Sequence, residues 1–173
     1  RNRNTKEVAH IKHARYEHVL SYIIENQEKF YRLAFSYVQN QEDALDVVQN
    51  AVCRALEHYD SLRNESALRT WFYRILVNES LLILKDKRKV ILTGDGRQTE
   101  IPYEESRFEP GTELYIHINR LEADVQSIIK LRFYEELSLK EIAQVMEMNL
   151  NTVKAKLYRG LKALRVEIRE VEV

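Results

Sequence analysis

The residues of this sequence best placed for chemistry are cations repeated at helical spacing. Between residues 151 and 169, six Lys/Arg stand against a single Glu. At about 100° per residue, Lys154, Arg159, Lys162, Arg165 and Arg169 share an arc of about 140°. Val153, Leu157, Leu161, Leu164 and Ile168 fall in a separate arc of about 80°, largely opposite. A helix of this kind buries one side and offers the other to phosphates, while residues near its start can reach base edges. A second cluster spans residues 69–89, with six Lys/Arg against two acids and Trp71, Phe72 and Tyr73 near its beginning. Aromatic surface beside a positive track holds separated strands, each stacked base contributing roughly 1–3 kcal/mol. Trp71 and Phe72 also stand at core spacing with Ile75, so packing competes with stacking there. A third group is uncharged or acidic: Asp43, Asp46 and Gln49 lie three apart with Asn50 beside them, a polar ridge opposite the Val48–Val52–Leu56 stripe. Such a ridge suits a protein partner or plain solvation.

Other chemistries find less support. His10, His13 and His18 with Glu17 hint at a metal site, but no second cluster closes the coordination, and a solvated helix is expected instead. One cysteine, Cys53, rules out a disulfide framework or a cysteine-built zinc site. No glycine-rich phosphate loop and no nucleophile–base motif occurs, so no catalytic residue, metal, cofactor or small-molecule substrate is expected. The 27 Lys+Arg equal the 27 Asp+Glu, which argues against coating nucleic acid by bulk charge. The longest apolar run, Leu81–Leu84, is far short of the roughly 20 residues of a membrane span, and the polar Arg1–Lys6 does not open a secretory signal. A reducing cytoplasm is the expected compartment.

These side chains need helices to position them. With 45% hydrophobic residues, zero net charge, and only four Gly and two Pro, the chain is neither disordered nor turn-rich. It reads as all-α, two small helical domains joined by a flexible linker. Ile11, Val19, Tyr22 and Ile23 predict a first helix fading near Asn26; Phe30, Leu33, Ala34 and Tyr37 predict a second, stopped at Asn40-Gln41. Val47, Val48, Ala51, Val52, Ala55, Leu56 and Tyr59 predict a third over about 42–59. Trp71, Phe72, Ile75 and Leu82 predict a fourth over about 68–88. Residues 90–112 hold three of the four glycines, both prolines, and five acids against two Arg, which is the composition of a linker. Its 23 residues reach at most about 75–80 Å, enough to separate two DNA sites by about two turns of ~34 Å.

Residues 113–173 are helical again. Leu121, Val125, Ile128, Ile129, Leu131 and Phe133 supply a packing helix. Ser138 and Glu141 form a capping-box pattern ahead of Ile142, Ala143, Val145 and Met146. After a break at Met148-Asn149, Asn151 or Thr152 can cap the last helix. A short capped helix, a tight turn and a longer capped helix make a helix-turn-helix.

At this point the sequence resembles a known family. Ile128–Ala143 (IIKLRFYEELSLKEIA) with Asn151–Arg165 (NTVKAKLYRGLKALR) resembles the fourth domain of bacterial sigma-70-type factors. Glu42–Gln49 (EDALDVVQ) and Thr70–Asn78 (TWFYRILVN) resemble the second. Two such domains and a short linker are the layout of the extracytoplasmic-function (ECF) subgroup, and the resemblance covers about residues 12–170. It implies domains at 1–89 and 113–173 around a 90–112 linker, and a role in promoter-specific transcription initiation. The implied partners are RNA polymerase core (largest-subunit clamp and flap regions), promoter DNA, and an anti-sigma factor, in relatives often a membrane-anchored protein. It implies core-polymerase contacts at Asp43, Asp46, Gln49 and Asn50. It places −10 element contacts at Arg69, Trp71, Arg74, Asn78, Lys85 and Arg88, with the Asp60–Ala67 loop capturing a flipped base. For the −35 element it implies Asn151, Thr152, Lys154, Ala155, Lys156, Tyr158, Arg159 and Lys162.

Three positions depart from the pattern. Asn151 stands where many relatives carry Gly. Ala155-Lys156 replaces a common Ser-Arg pair, and Lys lacks the planar fork that reads guanine. Leu68 replaces a frequent aromatic, removing a stacking role. The rival expectation is a stand-alone helix-turn-helix regulator whose residues 1–89 sense a ligand or dimerise.

Overall fold

The computed structural model describes residues 2–93 and 112–172, and every regular element in them is helical. The order is α1 (Asn2–Val38), α2 (Gln41–Glu57), two 3-10 turns (Tyr59–Ser61 and Glu65–Ala67), α3 (Leu68–Thr93), α4 (Thr112–Arg120), α5 (Ala123–Phe133), α6 (Leu139–Met146) and α7 (Leu150–Glu172). Two compact units divide at residues 80 and 81, inside α3 and ahead of the boundary expected after residue 89. The first residues of the expected linker, 90–93, complete α3; the rest, 94–111, and the side chains of Ile168 and Arg169 lie outside the described residues.

In the first unit the two helices expected before residue 40 are one. The polar stretch Asn26–Lys29 does not interrupt the helix: it contains no Gly or Pro, and Gln27, Glu28 and Lys29 face solvent. Asn26 Nδ2 donates back to the Tyr22 carbonyl at 2.8 Å, and Glu28 pairs with Arg32 one turn on at 3.3 Å. Val19, Ile23, Phe30, Leu33, Ala34 and Tyr37 thus form one continuous buried face. Gln39, at φ 52°, ends α1, and Asn40 caps α2 by accepting the Asp43 N–H at 3.0 Å.

Against that face α2 lays Ala44, Val47, Ala51 and Ala55, whose small side chains let the helices approach closely. The expected Val48–Val52–Leu56 stripe is only half-buried, flanking this alanine line. Phe30 draws α3 in, its ring 4.5 Å from Phe72 and 5.7 Å from Tyr73. The buried side of α3 is Leu68, Phe72, Tyr73, Leu76 and Val77. The expected stripe is therefore rotated: Trp71 and Ile75 are half-buried and Leu82 is exposed. Two buried hydroxyls at and along α3 bond within their own turn, Ser80 Oγ donating to the Leu76 carbonyl at 2.8 Å and Thr70 Oγ1 to the Ala67 carbonyl at 3.2 Å. The buried carboxylate of Glu79 pairs with Arg54 of α2.

In the second unit α5 is central, with α4, α6 and α7 packed around it, and Val125–Leu131 are buried without interruption. Two residues expected in this helix sit differently: Leu121 precedes it, and Phe133, at its C-terminal end, is 55% exposed. The Ser138 capping box forms as expected: the Glu141 N–H donates to Ser138 Oγ at 3.2 Å, and the Ser138 N–H donates to Glu141 Oε2 at 2.7 Å. Glu147, left-handed at φ 53°, ends α6. The cap of α7 is Asn149, which accepts the Thr152 N–H at 2.8 Å, instead of Asn151 or Thr152. Those two already lie inside the first helical turn, because the helix begins at Leu150.

Candidate nucleic-acid and polymerase interfaces

The helix-turn-helix geometry follows from these caps. Tight packing of α7 on α5 is possible because position 160 is glycine: a Cβ there would stand 2.4 Å from Val125 Cγ1 and 2.9 Å from Ile129 Cδ1. With Val153, Leu157, Gly160 and Leu164 turned inward, Asn151, Lys154, Ala155, Tyr158, Arg159, Lys162 and Arg165 are all exposed. Tyr158 is 66% exposed, an aromatic ring among the cations of this face. Thr152 is half-buried and its N–H is held by the cap.

Lys156 does not join this face. Its Nζ lies 3.2 Å from Asp124 Oδ2 and 3.7 Å from Glu122 Oε1, at the start of α5, with its side chain 18% exposed. Its azimuth falls about 60° outside the cationic arc, and two carboxylates already neutralise it.

On α3, Trp71, Arg74 and Asn78 fall within about 60° of one another at helical spacing, on the side away from the core. Asn78 and Lys85 are exposed; Trp71 and Arg74 are half-buried. Ile75 and Leu82 lie on the same side and give it an apolar flank. Arg69 sits on the opposite side, near the azimuth of Leu76 and Ser80, so it is not brought together with Asn78. Phe72 and Tyr73 are core residues, and Trp71 is the aromatic of the three left with accessible surface. Arg88 is exposed further along. The loop ahead of α3 is built from the two 3-10 turns, anchored by buried Leu62 and by Asn64, which accepts the Ser66 N–H at 3.1 Å.

On α2, Asp46, Gln49 and Asn50 are exposed in one patch and Asp43 is half-buried at its edge. Two exposed neighbours went unnoticed in the sequence: Glu42, one turn before Asp46, and Leu45, 54% exposed. An exposed leucine beside a polar ridge was the available signal.

A further feature of the second unit was also missed. A groove of about 800 Å³ runs between α4, α5 and α7, lined by Leu114, Ile118, Ile129, Phe133, Leu161 and Leu164, with Tyr134 and Arg165 at its rim. Burial raises the Tyr134 pKa above the ordinary phenol value, with Tyr115, at 5.2 Å between ring centroids, adding to the shift. Behind the groove, α5 buries Lys130 completely. Its Nζ donates to Asn119 Oδ1 at 2.8 Å and Gln126 Oε1 at 3.1 Å, and burial lowers its pKa from 10.5 to about 7.

The N-terminal histidines are all exposed on α1, with His13 Nε2 3.9 Å from Glu17 Oε1. Among the described residues no three His, Cys, Asp or Glu side chains gather as a metal site would need, and no helix is long and apolar enough to cross a membrane.

An all-α architecture of two helical units, one of them a cation-faced helix-turn-helix, has the features of a DNA-binding protein. Family models agree with that architecture: Sigma-70 region 2 matches residues 23–90 and Sigma-70, region 4 matches residues 117–164. RNA polymerase sigma factor SigV of Bacillus subtilis is 37% identical over 151 residues, covering 87% of this chain and 91% of the relative. ECF RNA polymerase sigma factor SigW of the same organism is 28% identical, covering 84% and 86%. Among solved structures, sigma factor RpoE in complex with anti-sigma factor NepR from Bartonella quintana has a TM-score of 0.70 at 20% identity, covering 86% of this chain and 95% of that one. CnrH in complex with the cytosolic domain of CnrY has a TM-score of 0.64 at 18% identity, covering 88% of each chain. The chain belongs to the sigma-70 family of RNA polymerase sigma factors, in its ECF subgroup. Members of this family are transcription initiation factors, not enzymes.

Proposed function

We propose that the chain directs core polymerase to a two-element promoter through three separate surfaces. Asp46, Gln49 and Asn50 on α2, with Leu45 and Glu42, meet the polymerase clamp. Trp71, Arg74, Asn78 and Lys85 on α3, with the Asp60–Ala67 loop, hold the opened −10 strand. Lys154, Ala155, Tyr158, Arg159 and Lys162 on α7 read the −35 duplex. Residues 1–89 and 113–173 act as the two functional domains, with 90–112 spanning the DNA between their sites. The apolar α4–α5–α7 groove takes an amphipathic helix from the flap of the polymerase. An anti-sigma protein, of the kind bound to the two solved relatives, competes for such surfaces, and the work is done in the cytoplasm.

The observation that carries this reading is the exposed face of α7. It gathers cations and one aromatic at the start of a helix-turn-helix helix, while the odd cation, Lys156, is tied to α5. Transcription reconstituted from purified core, this chain and a promoter library tests it. Lys154→Ala and Arg159→Ala each lower −35-dependent initiation about ten-fold or more and leave core affinity unchanged, since a good base or phosphate contact contributes ~1–3 kcal/mol. Asp46→Ala with Gln49→Ala weakens core binding instead. Absence of promoter-specific transcripts from the wild-type chain, or loss of core affinity in the α7 variants, overturns the assignment.

A further inference from the structure

α1 is longer than the segment that the region 2 family model matches: the helix begins at Asn2 and the match begins at residue 23. Its inner face, the side that packs the domain, changes character along the way. From Val19 to Tyr37 that side is Val19, Ile23, Phe30, Leu33 and Tyr37, all buried. Continued toward the N-terminus at 3.6 residues per turn, the same azimuth carries Val8, Lys12, Arg15 and Tyr16. Glu7 and Glu17, the acids of residues 2–18, lie well off that azimuth, by about 100° or more from its centre. Val8 and Lys12 are exposed and Arg15 is half-buried, so the core ends here and the helix overhangs it.

The overhang is held beside a particular place. Tyr16 makes an edge-to-face contact with Tyr59, ring centroids 5.3 Å apart, and α1 packs along the 3-10 turn Tyr59–Ser61. That turn opens the loop assigned above to strand capture, and α3 starts directly after it. Where a packing face has to cover a core it is apolar; where it clears the core beside that loop it is cationic, with no acid among its residues. The four cations of residues 2–18 divide between this face (Lys12, Arg15) and other azimuths (Arg3, Lys6), while both acids lie off it, so a phosphate backbone lying over the loop would meet Lys12 and Arg15 without a facing carboxylate.

We infer that the inner face of residues 8–16 binds the phosphate backbone of promoter DNA next to the −10 element, Lys12 and Arg15 each meeting a phosphate. The inference rests on the sigma-factor reading and adds to it a surface outside the matched family segment. The arm supplies sequence-independent affinity, acting after polymerase has placed the loop on the opened strand.

The test uses complete holoenzyme, assembled from core and the full chain, binding a forked −10 DNA across a salt series. The inner-face pair Lys12→Gln/Arg15→Gln is compared with the outer-face pair Arg3→Gln/Lys6→Gln, which removes equal charge from other azimuths. The inner pair is expected to weaken binding several-fold and to reduce the slope of log K against log salt by about 1 to 2, as loss of two phosphate contacts requires. The outer pair should leave both nearly unchanged. Equal losses from both pairs would show bulk charge only and overturn the inference, as would an inner pair that binds like wild type. An inner pair with normal DNA binding but reduced capture by an anti-sigma protein or anionic vesicles would also overturn it. Failure of the sigma reading itself is separately visible, because wild-type holoenzyme would then show no preference for −10 DNA.

Discussion

Lys130 sits in an environment far from its usual one. An ammonium taken wholly out of water loses its hydration, and neighbours such as the amide oxygens of Asn119 and Gln126 return only part of it. Burial accordingly lowers its pKa to about 7, against 10.5 when exposed. In the unfolded chain Lys130 keeps its proton up to about pH 10.5, so between pH 7 and 10.5 the unfolded state binds more protons than the folded one. Stability therefore rises with pH across that window, by up to about 1 kcal/mol per pH unit from this group, and below pH 7 the full cost of the buried charge remains. Thermal unfolding at pH 7.0 and 9.5, each value chosen within about the stated window, should give a rising Tm for the wild-type chain. Lys130→Met should flatten that rise, whatever it does to absolute stability. A variant with the wild-type pH slope would show that the amine is solvated.

At the level of elements, the α5–α7 contact sets where the cationic face points. Alanine at position 160 would gain about 1 kcal/mol of helix propensity over glycine. Its Cβ, however, would meet Val125 Cγ1 at 2.4 Å and Ile129 Cδ1 at 2.9 Å, and Val125 is buried and stiff about χ1. Overpacking of this kind costs about 1–3 kcal/mol, so Gly160→Ala should be destabilising on balance. Val125→Ala in the same chain removes the nearer collision and should make the glycine substitution better tolerated, a non-additivity that a denaturation double-mutant cycle reads directly. The sequence did not show this packing demand, because a glycine in a helix looks the same whether it is tolerated or required.

What was legible followed from local rules. The Ser138 capping box and the starts of α2 and α3 lie within a residue of expectation, each fixed by a cap or a period that needs no partner. What failed depended on packing. The polar turn at Asn26–Lys29 read as a break, yet Gln27–Lys29 face outward and half-buried Asn26 bonds back to Tyr22 within α1. Trp71, Ile75 and Leu82 read as core, yet Phe30 reaches across to Phe72 and Tyr73 and rotates α3 by part of a turn. Lys156 read as part of the exposed basic face because spacing alone cannot show that Asp124 pairs with it from the neighbouring helix.

For the whole molecule, the equality of 27 cations and 27 acids conceals how they are sorted. The cations concentrate on α3 and on the outer face of α7, while residues 90–112 carry an excess of three acids. A chain without net charge gains little from bulk attraction to a polyanion, so its DNA affinity must come from several small faces engaged together. Only a platform that fixes both units over one promoter supplies that condition. The free chain should therefore bind a promoter fragment weakly at about 0.15 M salt, with a dissociation constant near the non-specific range of roughly 10⁻⁴–10⁻⁶ M and little preference for sequence. With core polymerase present, the same fragment should be bound at least about a thousand-fold more tightly than unrelated DNA of equal length. Fluorescence anisotropy of the labelled fragment, measured with and without core, reads both quantities. Nanomolar, sequence-specific binding by the free chain would contradict a polymerase-dependent specificity factor, because it would mean that the faces on α3 and α7 already act together without the enzyme to align them.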